Sequence, residues 1–165
     1  MQKYIVIADD LTGSNATCSL LKKIGLRAAS ILKLQNGMKY DADVISYSTG
    51  SRGLDKEEAY KRVSEAIKIL KDKNVLVYNK RIDSTLRGNI GAEINAMLDN
   101  LENDRIAVVV PAYPDSERIV VNKTMLVNGV LLENSDAGKD PKTPIKTSCV
   151  ETLIKKDCKY SSTYF

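Results

Sequence analysis

The chain has 165 residues, 43% of them apolar and 28% charged, a composition that supports one globular core without disulfide or metal staples. It contains no His and no Trp and only one Phe. That excludes His-based nucleophile pairs, His-containing zinc sites and a nucleic-acid platform built on stacked aromatics. The net charge of +4 is dispersed along the chain, so no basic stripe for nucleic acid is expected. Cys18, Cys149 and Cys158 are odd in number and lack CxxC spacing, and MQKYIVIADD carries no apolar leader core. A cytoplasmic protein with neither a membrane nor a nucleic-acid partner is therefore expected.

Tyr4 to Ala8 is a short apolar run with no polar face, which predicts a strand buried on both sides. Thr17, Leu20, Leu21 and Ile24 recur at helical spacing, and Gly25 follows as a C-cap. Residues 28–32 and 43–47 read as the second and third strands. Asp55 and Glu58 have capping-box spacing ahead of a helix striped by Ala59, Val63, Ala66, Ile67 and Leu70. Residues 75–78 are a fourth strand, and Ile90, Ile94, Met97, Leu98 and Leu101 stripe a third helix. Residues 106–110 read as a fifth strand stopped by Pro111. Further on, residues 121–127 and 130–132 flank Asn128-Gly129 and predict a hairpin with a type I′ turn. Ser148 and Glu151 form a second capping box for a short helix. Strands alternating with helices predict an α/β fold: an open, mostly parallel sheet with helices on both faces, then a C-terminal β-hairpin and short helix, in a single domain spanning 1–165.

The unusual polar residues collect where the predicted strands end, the edge at which open α/β sheets bind ligands. The first strand runs into Asp9-Asp10-Leu11-Thr12-Gly13-Ser14 and the third into Ser48-Thr49-Gly50-Ser51-Arg52. Of Asp9 and Asp10, one is expected to cap the following helix or orient its neighbour, the other to face a ligand. No GxxxxGK[ST] stretch is present, which excludes a P-loop. The fourth strand runs into Lys80 to Asn89, where three cations, two hydroxyls and one acid precede a helix. That mixture suits a small polyhydroxy acid. Arg87 can grip a carboxylate through a two-pronged hydrogen bond, Ser84 and Thr85 can meet hydroxyls, and Gly88 permits close approach. The competing reading is an ion pair between Asp83 and Arg81 or Arg87. Arg52 reads either as a second anion contact or as a solvated turn residue.

ADDLTGSNAT, YNKRIDSTLRGNIGAE and VVPAYPDSERI, in that order, resemble the N-terminal domain of the four-carbon acid sugar kinases. STGSRGL and the stretch MLVNGVLLENSDAGKDPKTPIKTS extend the resemblance over nearly the whole chain. The resemblance implies ATP-dependent phosphorylation of a sugar acid such as threonate, erythronate or a 3-oxo derivative. It implies a division of labour in which this domain binds the acid sugar and a C-terminal domain, or a separate polypeptide, supplies ATP and Mg²⁺. No glycine-rich ATP-binding region follows Lys156, so the chain alone is expected to be inactive and to hold no metal. Carried over by motif, Asp9, Asp10, Thr12, Ser51, Arg52, Lys80, Asp83, Ser84, Arg87 and Gly88 are the family-like site residues, with Asp10 orienting or deprotonating the attacking hydroxyl. Three departures stand out: Ala16 where many members have an acid, Ser116-Glu117-Arg118 for Ser-Gly-Arg, and Asn122-Lys123-Thr124 for Gly-Gly-aromatic. The alternatives are a non-catalytic binding module or remnant, and a phosphoacceptor signalling domain. The latter lacks its acceptor Asp at Tyr47-Ser48-Thr49 and its Lys at Pro111.

Overall fold

An apolar run such as YIVIA hides both of its faces only when strands flank it and helices cover it. In the computed structural model, which describes residues 3–37, 40–102 and 104–164, β1 (Tyr4–Ala8) has that position. It lies between parallel neighbours β3 (Val44–Ser48) and β4 (Val77–Arg81), with β2 (Ala28–Ile31) outside β3, giving the order β2-β3-β1-β4. Register places Ala8 beside Ser48 on one side and Arg81 on the other. Three strands therefore end level, and the loops that follow them leave from one edge.

Alternate strand residues serve opposite faces. Ile5, Ile7 and Ile45 pack with Val63, Ile67 and Leu70 of α2 (Lys56–Leu70) and Met97 of α3 (Ile90–Asn100). On the other face Ser46 bonds through its Oγ to Ser14 Oγ of α1 (Leu11–Lys23) at 2.7 Å. A second core joins Leu86, Ile90 and Ile94 to Met125, Val127, Leu132, Ile145 and Val150. It packs α3 and α4 (Val150–Lys155) against an antiparallel sheet of β5 (Arg118–Val121), β6 (Thr124–Val127) and β7 (Val130–Leu131). Among the described residues no helix is long and apolar enough to cross a membrane.

The α/β class and the presence of the first four strands are as expected, while β4 runs on to Arg81 and several other local expectations need correction. Residues 106–110 form no strand. They join no ladder among the described residues, they line with β4 a cavity of about 420 Å³, and Ile106 and Val108 are 87% and 83% exposed. The predicted strand over 121–127 is broken at Asn122-Lys123, whose φ angles of +46° and +66° make a tight turn of their own, so β5 and β6 are a hairpin as well. The Asn128-Gly129 turn has φ of +51° and +75°, as type I′ requires. The apolar stripe of α1 is not its buried face: Leu20 and Ile24 are exposed, and the small Gly13, Ser14 and Cys18 meet the sheet. Ser148 does not cap α4. It is buried, and its Oγ accepts from Glu133 N instead. The Asp55 cap of α2 forms as predicted, accepting from Glu58 N at 2.8 Å.

Candidate functional site

The edge begins at the β1–α1 junction. Asp10 is the N-cap of α1, its Oδ1 accepting from Gly13 N at 2.7 Å. A Cβ on Gly13 would stand 2.8 Å from that oxygen, so the glycine makes room for the cap. The other face of Asp10 turns outward: Oδ2 pairs with Arg52 Nη1 at 2.7 Å, and the side chain remains 28% exposed. Asp9 points inward at 3% exposure, its carboxylate clasped by Arg52 Nε at 2.6 Å and Nη2 at 3.0 Å. The two acids do not divide as the sequence suggests: Asp10 is both the cap and the accessible member, while Asp9 is buried against Arg52. Burial works against the Arg52 charge, but the bonds and charges of Asp9, Asp83 and Asp10 outweigh it and raise its affinity for the proton.

The loop after β4 folds on Asp83. Its carboxylate accepts from Arg87 Nε at 2.7 Å and Nη2 at 3.1 Å, from Thr85 Oγ1 at 2.5 Å and from Thr85 N. Burial alone would raise the Asp83 carboxyl, yet the bonds from Arg87 and Thr85 and the charges of Arg52 and Arg87 hold it down at about 2. Arg87 reaches on to Asp140 at 2.9 Å, tying the sheet edge to the segment before Pro141. Asp140 is also held at about 2, by the N–H of Thr143, by Arg87 and by the N–H of Lys142. Gly88 has φ of +94°, and a Cβ there would meet Arg52 Cγ at 3.3 Å, so glycine lets this loop close over Arg52.

Beneath the edge lies a second charged unit. Lys80, on β4, points toward α3 and pairs with Glu93 at 2.8 Å; their side chains are 9% and 1% exposed. Glu93 also accepts from Ser51 Oγ, Thr49 Oγ1 donates to Ala8 O, and the two hydroxyl oxygens stand 2.7 Å apart. Ser51 and Lys80 are thus brought to the site region but bonded into its floor.

Glu93 and Asp140 are absent from the residues picked out in the sequence. Glu93 had a signal, since a charged residue on the buried stripe of a helix needs a partner. Asp140 had none, because it meets Arg87 across 53 positions of chain. Exposed Thr12 and half-buried Ser84 make no side-chain hydrogen bond among the described residues, so both hydroxyls are available at the edge. No group of three or more metal-ligating side chains occurs among the described residues. Asp9, Asp10, Asp83 and Asp140 are each engaged by Arg52 or Arg87, so these carboxylates do not fit an ATP-bound Mg²⁺.

Level strand ends that gather carboxylates, guanidiniums and hydroxyls are the layout of a domain that receives a small polar ligand. The chain belongs to the family described as the sugar-binding N-terminal domain, whose model matches residues 4–165. It is 46% identical over 166 residues to a D-erythronate kinase of Heliobacterium modesticaldum, covering 98% of this chain and 37% of that one. It is 39% identical over 154 residues to a D-threonate kinase of Salmonella typhimurium, covering 92% and 36%. A solved structure from Bordetella bronchiseptica, a domain of unknown function with bound citrate in a domain-swapped dimer, matches with a TM-score of 0.82 and 32% identity over 93% of this chain and 40% of that one. The chain therefore spans little more than a third of the length of the curated relatives it matches.

Proposed function

We propose that this domain binds the four-carbon sugar acid for an ATP-dependent kinase working in the cytoplasm, with nucleotide and Mg²⁺ held by a further domain or a separate polypeptide. The observation that carries this reading is Asp10. The α1 cap and Arg52 fix its carboxylate at the sheet edge, and its exposed side remains open to a ligand hydroxyl. In that place Asp10 orients the attacking hydroxyl and accepts its proton, while Asp9 and Asp83 hold Arg52 from behind. Such positioning is the main contribution a protein makes to phosphoryl transfer. The names of the relatives and the polycarboxylate in the Bordetella structure support an acidic ligand.

Calorimetric titration with D-erythronate, D-threonate and the neutral tetritol erythritol tests the reading. The acids should bind at least about tenfold more tightly than erythritol, a difference of about 1.4 kcal/mol. Equal affinity for acid and tetritol, or no binding of any, overturns it.

A further inference from the structure

The strands β3 and β4 and the loops that follow them carry four cations, and three of these have carboxylate partners. Arg52 is paired with Asp9 and Asp10, Lys80 with Glu93, and Arg87 with Asp83 and Asp140. The two-pronged faces of Arg52 and Arg87 are filled, by Asp9 and Asp83 respectively. Around those two guanidiniums stand four carboxylates, so an incoming carboxylate meets an excess of negative charge. Displacing Asp9 or Asp83 would leave a buried carboxylate unpaired, which is strongly unfavourable. Arg81 is the exception. Among the described residues it pairs with no carboxylate, and its Nη1 donates only to the carbonyl of Ile82.

Its placement follows from strand alternation. Lys80 turns toward α3, so its neighbour Arg81 turns to the α1 face. There the Arg81 Cγ lies 3.4 Å from the point a Cβ on Gly13 would occupy, and Asp10 Oδ1 lies 2.8 Å from the same point. The Arg81 stem and the Asp10 carboxylate thus flank one glycine, with the exposed Thr12 hydroxyl next in the chain.

We infer that Arg81, rather than Arg87 or Arg52, anchors the ligand's carboxylate, while Asp10 takes its hydroxyls. This rests on the reading of the domain as an acid-sugar binder and names the residue that makes it selective for acids. Arg87 becomes a positioning residue that holds Asp83 and Asp140.

The test is the affinity ratio of D-erythronate to its neutral C1 amide, measured by calorimetry on the parent chain and on R81Q, R81K and R87K. In R81Q the acid should weaken by about tenfold or more, as loss of one charge-assisted pair predicts, while the amide changes by less than about twofold. R81K keeps the charge without the planar fork, and its ratio should fall between parent and R81Q. R87K should weaken acid and amide alike, leaving the ratio unchanged. If R81Q fails to melt cooperatively, the R81K ratio decides. A parent-like ratio in either folded Arg81 variant, or a ratio that collapses in R87K instead, overturns the inference. A parent chain that binds neither acid nor amide overturns the underlying reading, and the inference with it.

Discussion

Replacing Glu93 with Gln keeps the shape of the side chain and removes its charge from beneath the edge. Lys80 would then hold an ammonium, 9% exposed, 2.8 Å from a neutral amide. Removing one partner of a buried pair costs about 3–5 kcal/mol. Lys80 also donates to Arg81 O at 3.0 Å, which satisfies one of its protons, so the lower end, about 3 kcal/mol, is expected here. K80M should cost a similar amount, because it strands the Glu93 carboxylate at 1% exposure. The double variant K80M/E93Q removes both charges and should cost well below the sum of the singles, by a coupling of about 2 kcal/mol. Urea unfolding of the four chains closes the cycle. Additive singles, each below about 1 kcal/mol, would refute the view that the pair braces the floor of the site.

Three further outcomes follow from local geometry. A Cβ on Gly91 would run into Lys156 O and stand 2.7 Å from Cys158 N, so G91A should lift the segment that Asn95 holds through Asp157 O and Lys159 N. A loss of about 1–3 kcal/mol and faster proteolysis after Lys155 are expected, and a parent-like melt would contradict this packing. G13A should break the Asp10 cap and cost about 1 kcal/mol in thermal unfolding, whereas an unchanged melting temperature would show that Asp10 can shift freely. Because the Asp83 carboxyl is lowered from 3.8 to about 2 on folding, its stabilisation is complete above about pH 4 and is lost as pH falls toward 2. The drop is nearly two units, or about 2 kcal/mol, so D83N should flatten the acid limb of the stability curve. Identical limbs in parent and variant would refute the Asp83 assignment.

The parallel sheet was legible because its strands are short apolar runs with turn residues between them, and because level strand ends place their loops together. The capping at Asp55 and the type I′ turn at Asn128-Gly129 were legible for a similar reason, since each is decided within four residues. What the sequence concealed depends on distance or on context. Residues 106–110 have strand composition, but a strand also needs a neighbour at bonding distance, and they join no ladder among the described residues. Lys123 at φ of +66° disguised a tight turn as strand. At the site, the loops after β1, β3 and β4 meet as the sequence suggests, and the Asp83–Arg87 pair, offered there as the competing reading, forms; the further bond from Arg87 to Asp140 could not be read from it. The sequence also could not show that Ser51 and Lys80 serve Glu93. Arg81 was read only as a possible partner of Asp83, because a motif records residue types and not which of them already have partners.

In the proposed function, an acid sugar seats over the carboxyl ends of β1 and β4. Amide chemical-shift mapping by NMR during titration with D-erythronate tests it most directly. Saturable shifts centred on Asp10, Thr12, Gly13, Arg81 and Ser84 are expected, with little change along β5 to β7. Shifts centred instead on residues 106–110 and the outer edge of β4, or on the segment around Asp157, would contradict it.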